Sequence, residues 1–565
     1  MNSKVADFNK QVRDTTTYKE SWDSSGSFKM EINVAGLVVL IVFYVIILVV
    51  GIIAAKCVKI EEGNKSEMAS VAGRQLYGVV GIFTMIATTV GGGFINGTAE
   101  SIATGGLAWT ISPMAIFVGL FIGGIIYAGR MRERKYVTML QPIEECYGRV
   151  VTCLVYLASL CGDVFWTASI LNALGTSLSI ILAINVEAAI VVSASITVIY
   201  TMIGQMISVA YTDIVQLILI TVGLVLAIPF VVTDDRVGDV STTSDMWLGS
   251  LDGRHAVAWV DLALAMIFGT IPWQSYFQRV LSVRSVKQAQ VLSVLAGMGA
   301  LILAVPPFLI GALSTAADWS NSSLTGGLDP VSANMSSMIL PLVLKEFTPD
   351  AVSIIGLGAI SAAVMSSMDS SILGSSSMFT HNVYRTAIRT QASEQELMWI
   401  QRTSILMIGI IATVLSIFVR TVWGLFVLAA DIVFVIVLPQ LTCALFLPAT
   451  NGYGGIVGFT LGTVLRIGAG ESFLDLPPFI FYPFYDHDVP EQLFPFRTFA
   501  FVVSLLGLII VSYVMKFLFE REILHPKYDF LGALKSGSAD ITSKYTDKNN
   551  GVELDNVHTA EKSPS

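Results

Sequence analysis

The chain has 565 residues, 54% of them hydrophobic and 13% charged, with a formal net charge of −9 and a mean hydropathy of +0.71. Soluble domains carry roughly 25% charged residues, so this composition excludes a soluble enzyme and predicts a polytopic protein whose solvent is the lipid bilayer. The acidic balance offers no basic surface for nucleic acid.

Residues 1–31 are polar and lack the basic and apolar regions of a signal peptide, so they read as an extracellular N-terminal segment. The apolar run 32–55 is long enough to span a bilayer and reads as a leading helix. Further runs bring the expected total to about thirteen spans, starting near residues 32, 80, 109, 150, 188, 209, 258, 289, 350, 400, 424, 454 and 496. The stretch IATTVGGGFINGTAES, residues 86–101, interrupts the second of these. Backbone freed at membrane depth is tolerated only where it lines a cavity or binds something, and carbonyl oxygens suit a hard cation such as sodium.

Ten spans between residues 80 and 447 divide into two groups of five. An odd number forces the second unit to cross in the opposite sense. Its first span contains GTIPWQSYFQR, residues 269–279, where Gly269 and Pro272 break the helix at the matching place. The expected organisation is a first inverted repeat at 80–232, a second at 258–447, two trailing helices at 454–518, and a mostly disordered cytoplasmic tail at 519–565.

Basic residues crowd alternate connections, as at Arg130, Arg132, Arg134 and Lys135, at Arg279, Arg284 and Lys287, and at Arg385 and Arg389. The other connections hold Arg236, Arg254, Lys345, Arg420 and Arg497. The positive-inside rule then puts the N-terminus outside and the C-terminus in the cytoplasm. The glycosylation sequons at Asn321 and Asn334 fall in an outer loop of this topology. The five cysteines fall in predicted helices or cytoplasmic connections, so no disulfide framework is expected. A phosphate-binding loop is absent from the sequence, and the five histidines are scattered without metal-ligand spacing. These features favour a secondary transporter without enzymatic activity or cofactor over a pump or receptor, with a sodium-conducting channel or sensor as the rival of another class.

Five stretches carry a family resemblance: GGFINGTAES, YVTML (136–140), SVAYTDIVQL (208–217), IPWQSYFQRVLS (271–282) and AAVMSSMDSSIL (362–373). They resemble the sodium/solute symporter family, and within it the high-affinity choline transporter branch, over about residues 33–530. The resemblance implies an all-α, five-plus-five inverted-repeat fold with one leading and two trailing helices. It also implies sodium-driven, chloride-dependent import of choline or a similar quaternary amine across the plasma membrane, and in animals a presynaptic and synaptic-vesicle setting that feeds acetylcholine synthesis.

Several site residues follow from the resemblance. Hydroxyls of Ser366 and Ser367 would meet carbonyls of Ala87, Val90 and Ala363 around sodium, and the position of Asp213 is associated with a further sodium site. Trp166 and Trp273, with Phe165 and Tyr276 nearby, would form the choline cage. On the residues alone, Asp213 and Asp369 are carboxylates at membrane depth and hence functional candidates, although Asp213 also reads as a helix-end acid at the inner interface. Glu100 and Asp163 are possible counter-charges or hydrogen-bond acceptors. A quaternary ammonium has no N–H to donate, so aromatic faces must hold it, whereas membrane tryptophans also serve as interfacial anchors. Thr89, Ile116 and the pair Phe426-Val427 stand where the branch has further aromatic residues. That departure keeps open a different small amine or organic solute, recognised through Thr89.

Overall fold

The computed structural model describes residues 34–57, 65–419, 421–488 and 491–534. The N-terminal segment 1–31 and the chain beyond residue 534 lie outside the described residues. Helix α1 (Val34–Cys57) is apolar on nearly every face, as a lipid-immersed helix must be.

The first predicted break is present. Helices α2 (Gly78–Thr89) and α3 (Gly92–Gly105) meet at 48°. The chain leaves helical geometry at Val90 (φ −85, ψ 61) and runs extended through Gly91 (φ −89, ψ 178). The glycine run serves close approach: a Cβ on Gly91 would lie 2.1 Å from Ser367 Oγ, and one on Gly92 would lie 2.2 Å from Val364 Cγ2. Any side chain there would push α3 away from the helix that carries the two serines.

Helix α4 (Ser112–Ile122) continues through a π-helical turn at Gly123–Ala128. Helix α5 (Gln141–Leu182) kinks at Gly148, whose φ of 78 suits glycine. Helix α6 (Val186–Thr233) is interrupted at Gln205 (φ 53, ψ −171), which divides its 48 residues into two spans. Together these elements form the five spans of the first repeat.

The second repeat begins with α7 (Ala256–Gly269) and α8 (Gln274–Ser282), separated by the predicted break, with Trp273 extended (φ −113, ψ 121). Helices α9 (Val286–Leu303) and α10 (Val305–Ala316) form the next span. Helix α11 (Asp350–Met378) follows, prolonged by a π-helical stretch at Phe379–Ile388. Helix α12 (Glu394–Phe418) precedes a last span made of α13 (Val422–Ile432), a π turn at Val433–Val437 and α14 (Leu438–Phe446). Ten helices among the described residues are individually long and apolar enough to cross a membrane, or eleven with the bent pair. The shorter Val186–Met202 and α15 (Gly452–Gly468) complete the thirteen. Apart from a hairpin of two-residue strands at 485–486 and 491–492, the described chain forms no sheet.

The second half of α6 runs along α11, and α5 packs on both α11 and α13, so the middle of the bundle is made of these helices. The trailing helices α15 and α16 (Phe496–Glu520) pack on each other. They grip the second repeat through buried charge. Arg466 of α15 and Arg497 of α16 each donate from Nε to Asp431 Oδ2 of α13 at 2.8 Å. Backbone N–H groups of Arg497 and Thr498 cap Asp261 of α7 at 3.2 and 2.7 Å. The Gly452 N–H donates to Leu531 O and the Phe530 N–H to Tyr453 Oη, which folds residues 521–534 back onto the start of α15.

Candidate functional site

Two adjoining centres lie where the broken helices meet α5, α6 and α11. The first is built of oxygen atoms. Helix α2 makes its last regular bond from the Val90 N–H to Ile86 O, so the carbonyls of Ala87 and Thr88 are left without helical partners. Ser367 on α11 donates to Thr88 O at 2.8 Å and reaches Ala87 O at 3.4 Å. The Ala363 carbonyl is on the same side, 3.7 Å from where a Cβ on Gly91 would stand. Thr88 supplies the second carbonyl that Ser367 meets, and Val90, expected in this group, is the residue at which the chain turns out of the helix.

Ser366, also expected there, faces a different partner: its hydroxyl donates to Asp213 Oδ1 at 2.6 Å. Asp213 is fully buried rather than at the inner interface. Its Oδ2 accepts from the Thr84 hydroxyl and lies 3.4 Å from Arg279 Nη2. Arg279 also donates to Ser370 Oγ, and Ser370 lies 3.1 Å from Thr88 Oγ1 and 3.4 Å from Asp369 Oδ1. The second oxygen of Asp369 is buried with no hydrogen-bond partner among the described residues. Two acidic side chains, one buried guanidinium and the hydroxyls of Thr84, Ser366 and Ser370 thus share one region closed to water.

Arg279 is the residue that sequence reasoning misplaced. It was assigned to an inner connection, yet it is wholly buried on α8. A signal was present, since QSYFQR places Gln274, Ser275, Gln278 and Arg279 together directly after a helix break, too polar a run for lipid.

The second centre is a half-open cavity of about 60 Å³ lined by Thr89, Ile116, Asp163, Trp166, Thr270, Trp273 and Phe426 among others. The rings of Trp166 and Trp273 meet edge to face with centroids 5.8 Å apart, and Phe426 lies 4.8 Å from Trp166. Trp423 adds a further ring, 5.9 Å from Phe426. Asp163 is buried and accepts a hydrogen bond from Ser375 on Oδ2. A larger recess of about 300 Å³ lies elsewhere, lined by Phe83, Ile86, Leu217 and other apolar side chains. That recess carries no charged group, so the smaller cavity is the candidate site.

Two expected members of the cage are elsewhere. Tyr276 is fully buried, packs on Phe277 and bonds Ser293 Oγ at 2.9 Å, outside the cavity. Phe165 precedes Trp166 on α5, and a helix turns by about 100° per residue, so it faces away from the lining and is only half-buried. Val427 is buried but likewise lines no part of the cavity. Glu100, on α3, is buried and accepts from Ser336 Oγ and from the Trp423 N–H, both at 3.4 Å. It ties the outer half of the broken helix to α13 rather than entering either centre. Asn321 and Asn334 are exposed in the loop between α10 and α11.

An oxygen-rich centre and an aromatic cavity meet at two helix breaks within a five-plus-five inverted repeat, the architecture of a secondary transporter. Residues 70–462 match the model of the Sodium:solute symporter family, and the chain belongs to that family. It is similar to the high-affinity choline transporter 1 of Drosophila melanogaster, 44% identical over 90% of this chain and 83% of that one. The human high affinity choline transporter 1 is 43% identical over 94% of this chain and 93% of its own. Among solved structures, an outward-open Na+-coupled sialic acid symporter superposes with a TM-score of 0.68 at 18% identity, covering 85% of this chain and 98% of that one. This likeness shows the shared fold.

Proposed function

We propose that this protein is a symporter that imports choline across the plasma membrane, driven by sodium and working by alternating access. The observation that carries the proposal is the adjacency of the two centres. Thr88 belongs to the oxygen centre, and the next residue, Thr89, lines the aromatic cavity. A cation held by the carbonyls of Ala87, Thr88 and Ala363 with Ser367 would fix the break in α2–α3. That break in turn shapes one wall of the cavity. A quaternary ammonium would sit against Trp166, Trp273 and Phe426, where ring faces attract cations, with the Asp163 carboxylate as counter-charge. Asp213 and Asp369, with Ser366, are the candidates for a second sodium.

Coupling follows if sodium binds the outward-facing state more tightly than the inward-facing one, because equal affinity shifts nothing. The repeats at 80–232 and 258–447 are then the bodies that rock around the breaks. The N-terminus is outside and the C-terminus cytoplasmic in this reading, supported by the basic connections. Chloride dependence and a role in supplying acetylcholine synthesis at presynaptic membranes are part of the proposal through the family resemblance.

Radiolabelled choline uptake into cells expressing the chain tests the reading, with sodium replaced by N-methylglucamine and chloride by gluconate in separate arms. Uptake that rises above that of control cells only in sodium is expected. Uptake equal to that of control cells would overturn it.

A further inference from the structure

The cavity is richer in hydrogen-bond acceptors than a quaternary ammonium can use. Thr89 ends α2, and its hydroxyl proton is committed to Met85 O at 2.7 Å. Thr270 caps the C-terminus of α7 and is committed in the same way to Met266 O at 2.9 Å. Each repeat's broken helix therefore brings to the cavity a hydroxyl whose remaining capacity is lone pairs. Asp163 adds a carboxylate, whose Oδ2 accepts from Ser375 while Oδ1 accepts from no described residue. On the donor side, Trp166 Nε1 is buried without a hydrogen-bond partner among the described residues, although its ring lines the cavity.

A trimethylammonium displaces water from these acceptors and returns only weak C–H contacts, and the single hydroxyl of choline can donate to only one of them, leaving the others unpaired. An ammonium with at least one N–H keeps the attraction to the tryptophan faces and also donates to Thr89, Thr270 or Asp163. An oxygen two carbons away would accept from the orphan Trp166 N–H. We therefore propose that this site prefers small protonated amino alcohols, with a primary to tertiary ammonium, over the quaternary form, and that Thr89 is the residue that sets the preference. The inference rests on reading this cavity as the transport site for an organic cation.

The test is uptake of radiolabelled choline and of radiolabelled N,N-dimethylethanolamine by the full chain, with each also used unlabelled as competitor. The two differ only in one methyl group against one N–H. Dimethylethanolamine is expected to bind roughly tenfold more tightly than choline, the worth of one hydrogen bond to a charged donor. Thr89→Val keeps the shape but removes the acceptor, and should bring the ratio of the two apparent affinities toward one. Thr89→Ser should preserve it, whatever either change does to surface expression, because the ratio is independent of transporter number. Equal affinities in the unsubstituted chain, or a ratio unmoved by Thr89→Val, would overturn the proposal. Sodium-dependent uptake of choline alone would sink it while leaving the choline reading intact. Uptake of dimethylethanolamine alone would support it and overturn choline, and uptake of neither would overturn both.

Discussion

Ser366 donates a hydrogen bond to Asp213 across 2.6 Å, joining residues 153 positions apart and belonging to opposite repeats. The neighbouring Ser367 turns instead to the carbonyls of Ala87 and Thr88. Two adjacent hydroxyls on α11 thus serve two different oxygen groups, and a change at either should be readable separately.

Ser367→Ala removes the hydroxyl from the carbonyl group, so the sodium concentration for half-maximal uptake should rise about tenfold or more, the worth of roughly 1.5 kcal/mol. Ser366→Ala instead leaves Asp213 Oδ1 without its donor. Its expected effect is on the steepness of the sodium dependence, because the second acid-lined group is weakened. Sodium titration of uptake at fixed substrate distinguishes the two, and identical curves for both variants and the unsubstituted chain would remove sodium from this place.

Gly91→Ala would put a Cβ 2.1 Å from Ser367 Oγ, a distance no real contact tolerates. Overpacking of this kind typically destabilises by about 1–3 kcal/mol. Helix α3 must shift away from α11, so uptake should be lost even where surface biotinylation shows the protein at the membrane. The pair Gly91→Ala with Ser367→Gly, which also removes the Ser367 Cβ that would lie 2.5 Å from the new one, should regain folding but not sodium affinity.

Arg279→Gln leaves Asp213 and Asp369 buried with no cation from the protein. Removing one partner of a buried ion pair is destabilising by about 3–5 kcal/mol. The expected result is poor surface delivery, partly restored by the double change Arg279→Gln with Asp213→Asn. A double-mutant cycle on thermal stability in detergent, with no coupling between the two positions, would contradict the pairing.

Asn321 and Asn334 are exposed in a loop on the side assigned to the exterior, so treatment with an N-glycosidase should increase gel mobility. The double change Asn321→Gln with Asn334→Gln should abolish that shift. Asn96 is buried in α3 and should carry no glycan. A shift that survives the double change would contradict the topology.

The span pattern and both helix breaks were legible because they depend on composition along the chain. Apolar runs, Gly91–Gly93, Gly269 and Pro272 act locally, and each leaves its mark in a few residues. The faces of the helices were harder to read. Phe165 and Trp166 are neighbours with the same family context, yet only Trp166 lines the cavity. Tyr276 stands three residues after Trp273, but its hydroxyl is taken by Ser293 of α9. Such choices depend on what a neighbouring helix offers. Arg279 reads as part of a connection for a related reason: summing basic residues by connection treats each as solvated, and only its partners Asp213 and Ser370 show that it is interior.

Asp431 has a meaning for the size of the functional unit. Ten spans make up the inverted repeats, and the architecture invites the view that helices beyond them are additions to a finished machine. In this chain Asp431 sits on the helix whose neighbouring residues Ala429 and Ala430 line the cavity, and both arginines that neutralise it come from the last two helices. A version trimmed after residue 447 would keep every residue of both centres and still be left with a bare buried carboxylate behind one wall, a penalty of several kcal/mol. The trailing helices α15 and α16 therefore supply the charges that hold this wall of the cavity in place.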